Sequence, residues 1–177
     1  MSALCIFKND TPQLAAELIP AAALSFSLSW IGNTKKEIVI DVTRADDLGS
    51  HRWNPLRFLV GDSISFITTE TNKINGPIES FTAEDLDNLQ KSKPLMKPEK
   101  RTRAPLLDIG DLDCQINNKH QCSFHLNTDN LLLINFVWVG DRSGMSMMHI
   151  SLDGSSPPLN TPKIEFGDEV TFSTTAK

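Results

Sequence analysis

Two short stretches decide the fold class: residues 26–32 read FSLSWIG, and residues 134–140 read INFVWVG. An offset of 108 residues superimposes Trp30 on Trp138 and aligns the glycine that ends each stretch. In the first stretch, apolar residues alternate with serines, which is the period-two pattern of a β-strand with one polar face. Both stretches therefore predict strands, and their similarity suggests that the chain contains a repeat.

A second pair of stretches supports the repeat. Residues 59–66 read LVGDSISF and residues 165–172 read EFGDEVTF, so that an offset of 106 superimposes Asp62 on Asp168. The offset changes by two residues, which loops between strands tolerate. We interpret the two pairs as an internal duplication. The alternative is that Gly-Asp between apolar residues is simply a common turn that leads into a strand.

Each half then has the same predicted layout of strands. The predicted pairs are 1–7 with 113–117, 25–30 with 131–139, 37–42 with 147–152, and 64–66 with 170–172, with hairpin turns at 33–35 and 141–144. The strand around Trp138 is apolar on both faces, since its second face consists of Leu131, Leu133, Val137 and Val139, and Leu133 and Val137 stand where the first copy has serines. We therefore expect the second copy to be the more deeply buried strand.

The two halves are joined by a helix and a basic connector. Thr82 to Gln90 predicts a short helix that Thr82 caps, and residues 15–23 favour a further turn of helix. Residues 91–110 contain three prolines and six cations, a composition that indicates a connector between the two halves. The predicted fold is mainly β: an internally duplicated antiparallel β-sandwich, or a pseudo-symmetric pair of β-subdomains, with one short helix before the connector. The predicted organisation is a first β-repeat at 1–80, the helix and connector at 81–110, and a second β-repeat at 111–177.

Charge narrows the class of partner. The chain has 177 residues and a net charge of -5, but residues 91–103 alone carry six cations and one anion. The remaining chain is thus strongly acidic, which disfavours binding to nucleic acid and favours a basic protein partner. The basic run lacks aromatic residues for stacking on bases, so we interpret it as a solvated connector.

The compartment follows from the cysteines and the apolar segments. An odd number of cysteines, Cys5, Cys114 and Cys122, is a poor basis for a disulfide framework. The most apolar stretch, residues 14–31, contains Glu17 and Pro20, which disfavours a membrane span or a secretory signal. We expect a cytoplasmic protein without membrane contact. The oligomeric state stays open.

One cluster has residue types that zinc prefers. Cys114, His120, Cys122 and His125 fall within twelve residues as C-x5-H-x-C-x2-H. The spacing is not that of a standard zinc finger or knuckle. The favoured interpretation is a strand, a turn and a second strand with incidental thiols, so we expect neither a metal nor a cofactor, and keep the cluster as the alternative.

No enzyme signature emerges. Nucleophilic catalysis needs a nucleophile, a histidine base and a carboxylate that orients the histidine. The candidate nucleophiles are Cys5 and Cys122. The candidate bases are His51, His125 and His149, and the candidate orienting acids are Asp41, Asp141 and Asp153. No local motif supports any of these combinations. Asp62 and Asp168 could form a carboxylate dyad by pseudo-symmetry, but a turn in which aspartate binds backbone N–H groups is the favoured interpretation.

The segment 46–55 is the most contact-like part of the chain. It combines a tryptophan and an arginine, which are favoured at interface hot spots, in a polar loop. The candidate protein-binding residues are Asp46, Asp47, His51, Arg52 and Trp53. The alternative is that Trp53 folds back as a lid on the core.

These observations favour a non-enzymatic, cytoplasmic protein-binding protein. Its properties are those of an immunity or antitoxin-type inhibitor that covers a basic partner, although no motif identifies it as one. The alternatives are a metal-dependent protein or enzyme that uses the Cys/His cluster, and a structural component of a phage or secretion assembly.

Overall fold

The computed structural model describes residues 1–31, 37–85, 88, 107–128, 131–140, 146–151 and 164–176. Within these ranges the chain forms thirteen β-strands and the start of one helix. The strands are β1 Ser2–Lys8, β2 Thr11–Glu17, β3 Ala23–Ile31, β4 Glu37–Asp46, β5 Gly49–Arg52, β6 Leu56–Leu59, β7 Ser63–Glu70, β8 Glu79–Phe81, β9 Asp108–Ile116, β10 Lys119–Asn127, β11 Leu131–Val139, β12 Ser146–Ser151 and β13 Glu169–Ala176.

The strands form two antiparallel sheets that pack face to face. Sheet A has the order β10-β9-β13-β7-β1-β2. Sheet B has the order β12-β11-β3-β4-β5-β8, with β6 also paired to β4. Both sheets contain strands from the first and the second half of the chain, and their inner faces share one apolar core. The mainly β prediction is confirmed, and the arrangement is a sandwich rather than a pair of separate subdomains.

The strand pairing is nearly symmetric between the two halves. In sheet B, β3 pairs with β11 so that Ser27 lies opposite Asn135. In sheet A, β7 pairs with β13 so that Ser65 lies opposite Thr171. β1 and β2 flank β7 in the same way that β9 and β10 flank β13. The separations of these opposed residues are the offsets of 108 and 106 that the sequence comparison gave.

The turns repeat the same relationship. Asn9 and Asn117 each adopt positive φ in the turn after the first strand of their half. The Asn9 side chain donates to Asp62 and accepts from the Ser63 N–H. Asn117 makes the equivalent bonds to Asp168 and Glu169.

The core follows the alternation seen in the sequence. Trp30 and Trp138 are 0% and 1% exposed, as predicted. Four phenylalanines from both sheets meet at the centre of the sandwich, with ring centroids 4.6 to 6.3 Å apart: Phe26, Phe66, Phe136 and Phe172. Aromatic pairs at these distances add to the stabilisation from burial.

Two expectations about individual segments are wrong. The outer face of β11 is not buried, because no layer of described residues covers it, and Val139 is 55% exposed. Residues 15–23 contain no helix, because β2 continues to Glu17 by pairing with β1. The next residues form a turn, with a hydrogen bond from the Ala22 N–H to the Ile19 carbonyl.

The predicted helix begins where expected. Ala83 is its first helical residue. The Thr82 hydroxyl accepts a hydrogen bond from the Asp85 N–H. In return, the Asp85 carboxylate accepts hydrogen bonds from the N–H and the hydroxyl of Thr82. This reciprocal bonding caps the helix.

The predicted connector 81–110 overlaps the end of β8 and the start of β9. The basic run 91–103 and the turns 33–35 and 141–144 lie outside the described residues.

Candidate functional site

The segment 46–55 is a β-hairpin rather than an open loop. β4 and β5 pair so that Asp46 lies opposite Gly49, which leaves Asp47 and Leu48 at the tip. Gly49 has φ of +142°, and a Cβ at this position would lie 2.0 Å from the Phe81 carbonyl oxygen. The close approach of β8 therefore requires glycine here.

The Asp46 carboxylate contacts three residues of the β4–β5 hairpin and holds its tip in place. Its carboxylate accepts from the Leu48 N–H at 3.0 Å, and lies 3.0 Å from His51 Nε2 and 3.5 Å from Arg44 Nε. Loss of water around the carboxylate opposes ionisation, but the contacts with His51, Leu48 and Arg44 outweigh it and lower the pKa of Asp46. The second ring nitrogen of His51, Nδ1, lies 2.9 Å from Ser80 Oγ on β8. Asp46 and His51 are thus positioning residues for the tip.

Trp53 is a lid on the core and not an exposed anchor. Its side chain is 2% exposed, and its Nε1 donates to the Asn75 carbonyl at 2.8 Å. The Arg44 guanidinium carbon lies 5.8 Å from the centre of the indole. The prediction that Trp53 contacts a partner directly is therefore corrected, because its apolar surface is already buried between the sheets.

The exposed part of the hairpin is smaller than the sequence suggested. Leu48 is 75% exposed, and Asp47 beside it is also exposed. The Arg52 side chain is also exposed, and its Nη2 donates a hydrogen bond to Asp41 Oδ1 at 2.9 Å. Sequence reasoning missed Leu48. The available signal was an isolated leucine between aspartates and a glycine, a turn position where the core does not need an apolar side chain.

The structure does not assemble the Cys/His cluster into a metal site. In the β9–β10 hairpin, Cys114 and Cys122 face the core. The imidazoles point away from it: His120 Nε2 lies 3.0 Å from Ser123 Oγ, and His125 Nδ1 lies 3.0 Å from Asp111 Oδ1. Among the described residues, no three histidines, cysteines or carboxylates come together in a group that could hold a metal ion. The alternative built on this cluster loses its geometric basis, because a bulge between His120 and Cys122, and the alternation from Cys122 to His125, place both imidazoles on the face opposite the thiols.

The two thiols do contact each other. Cys114 lies directly opposite Cys122 in the register, and is fully buried whereas Cys122 is half-buried. A hydrogen bond from the Cys114 thiol to the Cys122 sulfur raises the pKa of Cys114, with burial adding to the effect, and lowers the pKa of Cys122. Opposed Cα atoms in antiparallel sheets are about 4.5–5.5 Å apart, within the range that a disulfide accepts.

Among the side chains that the structure describes, the remaining catalytic combinations are not brought together. His51 contacts Asp46 and Ser80, and His125 lies on the opposite face of the hairpin from Cys122. Asp141 and Asp153 lie outside the described residues, as does the side chain of His149.

The two aspartates hold turns, as the favoured interpretation of the sequence predicted, and do not form a carboxylate dyad. Asp62 accepts from the Leu59 N–H and Asp168 from the Glu165 N–H, both at 2.8 Å, so each holds its own turn. Because β7 and β13 are antiparallel, the two turns lie at opposite ends of their ladder, roughly six residues or about 20 Å apart.

The chain is thus a two-sheet antiparallel β-sandwich, and the most exposed large apolar side chain among its described residues is Leu48, at the tip of the β4–β5 hairpin. Comparison with protein-family models, with curated proteins and with solved structures finds no match. In the part of the chain that the structure describes, no helix is long and apolar enough to cross a membrane.

Proposed function

We propose that this chain is a non-enzymatic, cytoplasmic protein-binding protein, and that the tip of the β4–β5 hairpin contacts a basic partner. The observation that carries the proposal is Leu48, which is 75% exposed on a turn that internal hydrogen bonds hold in place. An apolar side chain on a pre-organised support loses little conformational freedom on binding, so that more of its burial contributes to affinity.

The surroundings of Leu48 suit a basic partner. Asp47 adjoins it, and Glu84, on the first turn of the helix that follows β8, is exposed. Glu79 is also exposed, but lies at the end of β8 away from the tip. Glu79 lies opposite Arg52, which itself contacts Asp41. Exposed carboxylates around an apolar anchor raise the association rate with a cationic surface, while the anchor determines how long the complex lasts. An immunity-type inhibitor that binds a basic toxin needs both an acidic surface and an apolar anchor of this kind.

A comparison of two leucines tests the proposal. Wild-type protein, Leu48→Asp and Leu59→Asp are immobilised and exposed to a lysate of the source cells, and retained proteins are quantified by mass spectrometry. Leu59 is 54% exposed at the end of β6, so Leu59→Asp matches the change in charge and polarity away from the hairpin. The proposal expects a basic protein that wild type and Leu59→Asp retain and Leu48→Asp loses.

The purified pair then gives the quantitative test. Leu48→Asp should raise Kd at least about tenfold, mainly through faster dissociation, whereas Asp47→Asn should mainly slow association at low salt. A partner that binds Leu48→Asp as tightly as wild type would overturn the assignment of the surface. Retention of no protein by the wild-type chain would overturn the proposed function.

A further inference from the structure

On the outer face of sheet A, the corresponding strands β1 and β9 present opposite chemistry. Ile6 lies opposite Phe66, and Cys114 lies opposite Phe172, so that residues of β1 correspond to residues of β9 at an offset of 108. The outward positions are Ala3, Cys5 and Phe7 in β1, and Asp111, Asp113 and Gln115 in β9. The same scaffold thus presents an apolar surface in one half and a polar, acidic surface in the other.

The apolar half is the exceptional one. The outer face of an antiparallel sandwich is ordinarily solvated and polar, as the β9 half is. Cys5 lies outside the core cluster between the sheets, yet is only 8% exposed. Residues 71–75, which follow β7, lie beside this surface and cover part of it.

A cavity of about 330 Å³ lies between this surface and the covering segment. Its lining includes Cys5, Phe7 and Ala15 from the sheet and Lys73 and Asn75 from the segment. Asn75 fixes the wall: its N–H donates to the Ala15 carbonyl at 2.8 Å, and its Oδ1 accepts from the Ala15 N–H at 2.7 Å. The Asn75 carbonyl also accepts from buried Trp53, which ties the wall to the core. The cavity is therefore held open by the fold.

Its volume and lining indicate a class of ligand. Apolar cavities of about 150 Å³ hold benzene, so this one has room for a bicyclic aromatic molecule. Lys73 is exposed at the wall, and no carboxylate in the described parts of the chain forms an ion pair with it. Burial raises the pKa of the Cys5 thiol, so the thiol is neutral at physiological pH and compatible with an apolar guest.

We propose that this cavity is a binding site for a small, flat, apolar carboxylate, whose ring system lies against Cys5, Phe7 and Ala15 and whose carboxylate faces Lys73. The site is separate from the hairpin tip. It gives the first half of the sandwich a ligand-binding role for which the second half has no counterpart in its outward residues.

Naphthoate is the probe that tests the site. Calorimetry on the full chain should give a Kd of about 0.1 mM, as expected for a ligand of this size. Ala15→Phe fills the cavity and should abolish binding. Ser123→Phe places the same side chain at the corresponding position of β10, where Ser123 is exposed, and should bind naphthoate like wild type. Thermal unfolding of both variants shows whether each remains folded.

The role of Lys73 is tested by charge. Lys73→Gln should weaken naphthoate binding several-fold, and naphthylmethylammonium, which has the opposite charge, should bind wild type at least tenfold more weakly than naphthoate. In a Cys122→Ser background, saturating naphthoate should slow alkylation of Cys5, which lines the cavity.

Three results would overturn the proposal. They are no detectable naphthoate binding to wild type at about 1 mM ligand, equal binding by folded Ala15→Phe and wild type, or equal affinity for the two oppositely charged naphthalenes. Either of the first two results would show that the cavity does not bind the ligand. The third would show that the site does not select for a carboxylate.

Discussion

Ser27 lies directly opposite Asn135 in sheet B, and its hydroxyl donates to Asn135 Oδ1 at 2.6 Å. The two residues are counterparts in the two halves of the chain, as are Ser65 and Thr171, which face each other in sheet A. A residue can lie opposite its own counterpart in an antiparallel pair only near a twofold axis. An approximate axis therefore passes through both sheets, and each half completes the sheets of the other. We expect the two halves to unfold together.

The two corresponding tryptophans should differ in their response to the same substitution. Trp30 Nε1 donates to the Asn127 carbonyl at 3.1 Å, whereas Trp138 Nε1 is buried with no hydrogen-bond partner among the described residues. Trp30→Phe and Trp138→Phe remove similar volumes, but only the first breaks a hydrogen bond. Urea unfolding should show Trp30→Phe to be less stable than Trp138→Phe by about 1 kcal/mol. Equal losses would contradict the assigned bonding.

Trp53 and Leu48 should separate stability from binding. Trp53→Ala empties a fully buried site and should lower the free energy of unfolding by about 3–5 kcal/mol. Leu48→Asp changes an exposed turn and should alter it by no more than about 0.5 kcal/mol. Thermal and urea unfolding measure both. A large loss of stability in Leu48→Asp would show that the tip supports the fold and would weaken its assignment as a contact surface.

Asp62 should make the protein sensitive to acid. Partial burial opposes its ionisation, but hydrogen bonds from Lys8, from the Leu59 N–H and from Asn9 outweigh this and hold the pKa of Asp62 below its ordinary value of 3.8. A carboxyl group with a lowered pKa in the folded state stabilises the fold above 3.8 and loses that contribution as pH falls through the folded pKa.

The advantage of wild type over Asp62→Asn in unfolding free energy should therefore be constant near neutrality and shrink below pH 3.8. The measurement is urea unfolding of both proteins over a series of pH values. An advantage that stays constant into this acidic range would contradict the ion pair between Lys8 and Asp62.

Cys114 and Cys122 should form a disulfide when hydrogen peroxide is added. The lowered pKa of Cys122 favours its thiolate, which peroxide oxidises to a sulfenic acid with release of hydroxide. The Cys114 thiol then displaces water from that sulfenic acid and closes the disulfide. Intact mass should fall by two hydrogen atoms, and only Cys5 should remain available for alkylation after denaturation. Cys122→Ser should show no such loss, and a peroxide-treated wild type with three free thiols would contradict the contact.

Much of the fold could be predicted because its signals are local. Alternation around Trp30 and Trp138 placed both tryptophans in the core, and the Gly-Asp pairs marked turns whose aspartates bind nearby backbone N–H groups. The offsets of 108 and 106 recur as the separations of residues that face each other in the β3–β11 and β7–β13 pairs. Period two in the sequence becomes two faces of a strand regardless of what packs on it.

The sequence by itself determined the strands around Trp30 and Trp138, the two Gly-Asp turns and the acidic charge, since each depends on neighbouring residues or on composition. Only the tertiary structure decided which faces were covered. It left Val139 exposed, buried Trp53 under Arg44 and Asn75, and turned Cys122 and His125 to opposite sides of one hairpin. It also placed residues 71–75 beside Cys5, where they form one wall of an open cavity. Covering of a face depends on segments far apart in the chain, and a local pattern carries no information about which distant segment will arrive there.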